Sequence, residues 1–197
     1  NINNNSFTDL NNSLGVIYIV RDPRNLVTSL SNHSSITIDE AVDFLTKKIK
    51  WHGNSLNKGL DGEKTTIFVG TWGSNFKSWQ SFNYQGRYLL IKYEDLINEK
   101  EKIFLDVLKF IHKLNKSKFI LDKNRFNNSL NSTDFKIMQN LEKSSGFHEG
   151  KIDPKTGKKI PFFYLGKKNN WKELLQPKIR YRLEEAFKNE MEELRYL

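Results

Sequence analysis

The chain has 197 residues, 13% aromatic and 28% charged, which is enough length for one domain with a packed core. It has no cysteine and four scattered histidines (His33, His52, His112, His148), which excludes disulfides and thiolate metal sites and argues against metal catalysis. A net charge of +9 suggests an anionic partner or, equally, a habitual use of Lys and Asn.

The first residues are polar and uncharged, so they form no secretory signal. The methionines are Met138 and Met191, and the N-terminus is read as a cut within a longer protein. Residues 15–20, Gly-Val-Ile-Tyr-Ile-Val, are a β-branched apolar run suited to a parallel strand buried on both faces. Asp22 and Pro23 then open a helix whose apolar face is Leu26, Val27 and Leu30. Val42, Leu45 and Ile49 predict a second helix from 39 to about 52. A polar loop covers 54–64, an extended piece 65–69 and a helix 74–82. Residues 88–93 read as a second buried strand, followed by a helix over about 99–114.

Shorter helices are predicted over 122–130 and 133–143. The turn chemistry of Asp153-Pro-Lys-Thr-Gly157 predicts a hairpin or lid, and an amphipathic helix over 177–194 closes the chain. Alternating strands and helices indicate a single α/β layered domain. No apolar run reaches the length of a membrane span.

The sharpest feature is the strand-to-helix junction at 20–29. Ligands of parallel sheets bind beyond the carboxyl ends of the strands, where a helix start offers free N–H groups to an anion. Arg21 stands at that edge with a fork matched to phosphate oxygens, and Ser29 lies two turns into the helix. The residues alone slightly favour phosphate binding over the other reading, in which Arg21 pairs with Asp22 or a neighbouring carboxylate and Ser29 has no role. Glu94 and Asp95 at the second strand end read as groups that orient loops or cap helices, and Trp72, Trp79 and Trp171 read as core.

Tyr18-Ile-Val-Arg-Asp-Pro-Arg-Asn-Leu-Val-Thr-Ser29 resembles the 3′-phosphate-binding segment of PAPS-dependent sulfotransferases. Further motifs follow in the family's order. They are Gly70-Thr-Trp-Gly-Ser-Asn-Phe-Lys-Ser-Trp79, Ile91-Lys-Tyr-Glu-Asp-Leu96, Thr133-Asp-Phe-Lys-Ile-Met138 and the segment from Phe162 to Trp171-Lys172. The resemblance implies a three-layer α/β fold with a central parallel sheet, similar to P-loop NTPases and lacking its first strand–phosphate-loop–helix unit. It implies a cytosolic-type, cytoplasmic enzyme that moves a sulfuryl group from PAPS to a hydroxyl or amine of a small-molecule or carbohydrate acceptor, leaving PAP.

Carried over by residue, Arg21 and Ser29 hold the 3′-phosphate, while Tyr93, Thr133 and Phe135 line the adenine pocket. The family's Arg-Lys-Gly closing the phosphate site is here Tyr164-Leu165-Gly166, so Gly166 remains and Lys167 or Lys168 replaces the lost charge. The family's phosphate-loop lysine and general base have no counterpart in the sequence, so the chain as it stands is expected to be inactive. Asp61-Gly-Glu-Lys-Thr65 is an ordinary loop, because Gly and Lys are not contiguous. A kinase-like nucleotide binder or binding module is the alternative reading. A nucleic-acid partner is not expected, since the lysines are spread along the chain.

Overall fold

The structure, a computed structural model, describes residues 8–9, 11–53, 65–153 and 156–197. In chain order the elements begin with strand β1 (Val16–Val20), helices α1 (Pro23–Ser34) and α2 (Ile38–Thr46), and strands β2 (Ile49–Gly53) and β3 (Thr65–Val69). Helix α3 (Trp72–Trp79), a 3₁₀ turn (Gln80–Gln85), strand β4 (Tyr88–Lys92) and helices α4 (Tyr93–Asn98), α5 (Lys100–Leu114), α6 (Lys123–Ser132) and α7 (Phe135–Ser145) follow. Strands β5 (Lys151–Ile152) and β6 (Lys159–Ile160), a 3₁₀ turn (Gly166–Lys168) and helices α8 (Trp171–Leu174), α9 (Pro177–Ala186) and α10 (Lys188–Glu193) complete the order. The chain divides into two compact units, one of residues 1–22 and 77–169, the other of 23–76 and 170–197.

In the first unit β1 and β4 pair in parallel, with Val16 opposite Tyr88 and Val20 opposite Lys92. Both strands therefore end level, which places Arg21 and Tyr93 at one sheet edge. Just before β1, Gly15 lies where a Cβ would come within 2.6 Å of Leu114 Cδ1 and 2.9 Å of the Arg87 carbonyl oxygen. Burial on both faces, expected for these strands, is incomplete. Val20 and Ile91 are buried, but Ile17 and Ile19 on one face and Leu90 on the other are exposed. Among the described residues no third strand joins the pair.

Helices α6 and α7 each start at an aspartate, Asp122 and Asp134, whose carboxylate accepts a backbone N–H of the first turn. Helix α7 stops at Gly146, with φ +77°. The expected hairpin is present, with Lys151 paired to Ile160 and Ile152 to Lys159. Its Pro154 and Lys155, like the loop expected over 54–64, lie outside the described residues.

The second unit packs α1 on α2 and α9, with Val27, Ala41, Val42 and Leu183 buried. Helix α2 opens on a reciprocal capping box between Thr37 and Glu40. It ends at Thr46, which corrects the helix expected to run to about 52. Residues 49–53 instead pair antiparallel with 65–69. Ile, Trp, His and Gly are weak helix formers, and the long-range ladder satisfies their backbone groups better than another turn would.

The closing helix is likewise interrupted, at Phe187, where the backbone takes φ −126° and ψ 23°. The kink turns the Phe187 ring onto Trp72, at 5.0 Å between centroids, and Phe187 is almost fully buried.

Candidate nucleotide site

The level strand ends bring two of the expected cofactor residues together. The Arg21 guanidinium lies 4.3 Å from the Tyr93 ring centroid, a cation–π contact. Tyr93 is half-buried and opens α4 immediately after β4, so its ring is held at the carboxyl edge of the sheet. Glu94 beside it accepts the Asp22 backbone N–H through Oε1 at 3.2 Å, tying the two strand ends together. This is the loop-orienting role read from the sequence. Behind them Tyr18 stacks on Tyr88, at 6.2 Å between centroids, and burial pushes the Tyr18 phenol up to about 12.

A second pair forms at α7. Phe135 is its first residue, and Gly166 at φ +54° lies against the Phe135 ring. A Cβ on Gly166 would fall 2.7 Å from Cε1 and 2.8 Å from Cζ of that ring. This glycine therefore serves close packing against an aromatic face, a reason the sequence does not show. Lys167 and Lys168 follow in the same 3₁₀ turn and are exposed. Thr133 caps the end of α6, its hydroxyl donating to the Ser129 carbonyl at 2.7 Å.

The two arginines of the junction motif have different surroundings. Arg24 is buried in the second unit, donating to Glu184 Oε1 at 2.6 Å and to the Tyr196 carbonyl at 2.8 Å. Its guanidinium also lies 4.0 Å from the Trp171 ring centroid. Asn25 accepts the Trp171 backbone N–H at 2.9 Å. Trp171, read as core, is half-buried in this clamp, and Trp79 is half-buried too, while Trp72 is buried. Ser29 lies in the second unit, half-buried on α1. Sequence reasoning passed over Arg24 and Asn25; their signal was their place beside Pro23, at the start of a helix that must be anchored.

Among the described residues no group of His, Asp and Glu has metal-binding geometry, and no helix is long and apolar enough to cross a membrane.

Comparison with known proteins matches residues 5–195 to the sulfotransferase domain family. A 3-beta-hydroxysteroid sulfotransferase of Cavia porcellus is 28% identical over 106 residues, 53% of this chain and 33% of that protein. A crystal structure of mouse sulfotransferase SULT7A1 complexed with PAP matches with a TM-score of 0.56 at 16% identity, over 90% of this chain and 58% of that one. The matches thus span about a third of the guinea-pig protein and little more than half of the mouse one. With the family match running almost from end to end, the chain belongs to the sulfotransferase family.

Proposed function

We propose that this chain holds the nucleotide of a PAPS-dependent sulfotransferase, with Arg21 as its principal phosphate ligand. The observation that carries the reading is the Arg21–Tyr93 contact at the carboxyl edge of a parallel strand pair. A guanidinium held against an aromatic face is steadied by the ring and keeps N–H donors suited to phosphate oxygens. The tyrosine at the same edge offers a planar wall for a purine.

The residues present fit the nucleotide. Arg21 supplies a fixed cation at the sheet edge, with Ser29 two helical turns further along the chain. Phe135, packed on Gly166, presents an aromatic surface, with Thr133 two residues before it and the exposed Lys167 directly after the glycine. Lys168 is the second candidate for the charge lost at Tyr164 and Leu165. The bound nucleotide supplies the sulfuryl group, which passes to a hydroxyl or amine acceptor. These residues bind and orient; the groups that touch the sulfuryl and take the acceptor's proton are assigned to none of them. Orientation of this kind is a large part of such catalysis, because in-line transfer needs both reactants held in register.

The test is calorimetric titration of the full chain with PAP and with ATP. The reading requires PAP to bind at least about tenfold more tightly, about 1.4 kcal/mol. Equal affinity, or a preference for ATP, would replace it with that of a general nucleotide binder.

A further inference from the structure

Beyond Phe135, helix α7 carries two side chains on the same stripe that the reading above leaves unused. Residues 135, 139 and 142 are spaced four and three apart, so they line one face. The Glu142 side chain is buried, at 4% exposure, and both its oxygens accept from successive backbone N–H groups. Oε1 takes the Phe162 N–H at 2.7 Å and Oε2 the Phe163 N–H at 3.0 Å. One turn earlier, Gln139 Nε2 donates to the carbonyls of Phe163 at 2.8 Å and Tyr164 at 3.2 Å.

A buried carboxylate is tolerated only when its oxygens are hydrogen-bonded, and a pair of adjacent backbone donors is a charge-assisted fork with a defined direction. Ring packing also reaches this segment, with Phe163 6.2 Å from Phe135 and both Phe162 and Phe163 against Phe147, but ring contacts are less directional than hydrogen bonds. A cavity of about 370 Å³ lies between Gln139, Glu142 and Lys143 on the helix and Lys159, Pro161, Phe163 and Tyr164 opposite. The hydrogen bonds thus supply the directional part of the register of 162–164 on α7. Gly166, two residues on, then meets the Phe135 ring at the start of the same stripe.

We propose that Glu142 is a positioning residue for the nucleotide site. It sets the register of residues 162–164 on α7 and so the placement of Gly166 and Lys167. The proposal rests on the reading of that turn as part of the 3′-phosphate site.

Glu142→Gln tests it, since the amide keeps the shape but turns one acceptor into a donor facing an N–H. Two readouts are taken on the full chain: amide hydrogen exchange, and affinity for PAP against 5′-AMP, which lacks the 3′-phosphate. The expected result is exchange at Phe162 and Phe163 faster by at least about tenfold, the effect of losing one charge-assisted hydrogen bond, with β1 and β4 unchanged. PAP affinity falls about tenfold and the preference for PAP over 5′-AMP falls with it.

Unchanged exchange at 162–163, or an equal loss for both nucleotides, would overturn the proposal. If the wild-type chain binds no PAP, the nucleotide reading fails by that fact, and the exchange pattern decides whether Glu142 holds the segment. Should Glu142→Gln fail to fold, Gln139→Ala removes the neighbouring rung without orphaning a charge. It is expected to shift the same amides and the same preference about threefold, and no shift in either would count against the proposal.

Discussion

Replacing Gly166 by alanine tests the packing that joins α7 to the Gly166 turn. The backbone there sits at φ +54°, and an added Cβ would press to 2.7, 2.8 and 3.0 Å from three atoms of the Phe135 ring. The left-handed conformation costs an L-residue about 1–2 kcal/mol, and the overpacking adds about 1–3 kcal/mol. A chain of this size loses about 2–4 °C of melting temperature per kcal/mol, so the drop should be about 4–20 °C.

The two contributions separate in a double-mutant cycle followed by urea denaturation. With Phe135→Ala the ring is gone, and Gly166→Ala should then cost only the backbone part, leaving a coupling of about 1–3 kcal/mol. A neutral Gly166→Ala, or the full penalty persisting without the ring, would refute the packing argument.

Three further outcomes follow from the geometry. Arg24→Met removes the buried donor to Glu184 and the Tyr196 carbonyl, while Arg180 stays 3.8 Å from Glu184, and denaturant unfolding should show a loss of about 1.5–3 kcal/mol. Asn25→Ala should cost about 1 kcal/mol by the same assay. Burial raises the Tyr18 phenol to about 12, so its neutral form is favoured in the fold. That contribution is complete below the ordinary tyrosine range near 10 and is lost as pH rises through about 12. Absorbance titration should show a late tyrosine step that Tyr18→Phe removes; a step surviving the substitution would contradict the assignment.

The junction from β1 to α1 was legible because its signals are local. A β-branched run ends at Asp22-Pro23, where capping and a fixed φ both favour a helix start. The helix expected to about 52 failed because Ile49 extends the helical spacing of Val42 and Leu45, while pairing with β3 is a long-range fact. The kink at Phe187 was hidden for the same reason, since Trp72 lies more than a hundred residues away in the chain. At the site, the family resemblance singled out Arg21, Tyr93, Phe135 and Gly166, and the structure brings them together as two pairs. It could not assign different surroundings to Arg21 and Arg24, both set at one junction. Glu142 escaped notice because a glutamate on an amphipathic helix reads as solvent-facing, and its partners are backbone groups some twenty residues on.

The claim on which the functional account depends is that the guanidinium of Arg21 binds a phosphate at the sheet edge. Calorimetric titration of wild type and Arg21→Ala with PAP measures it directly. A charge-assisted hydrogen bond contributes about 1.5–3 kcal/mol, so the variant should bind PAP about 10- to 100-fold more weakly while its melting temperature stays close to wild type. PAP affinity unchanged in the folded variant would contradict the account.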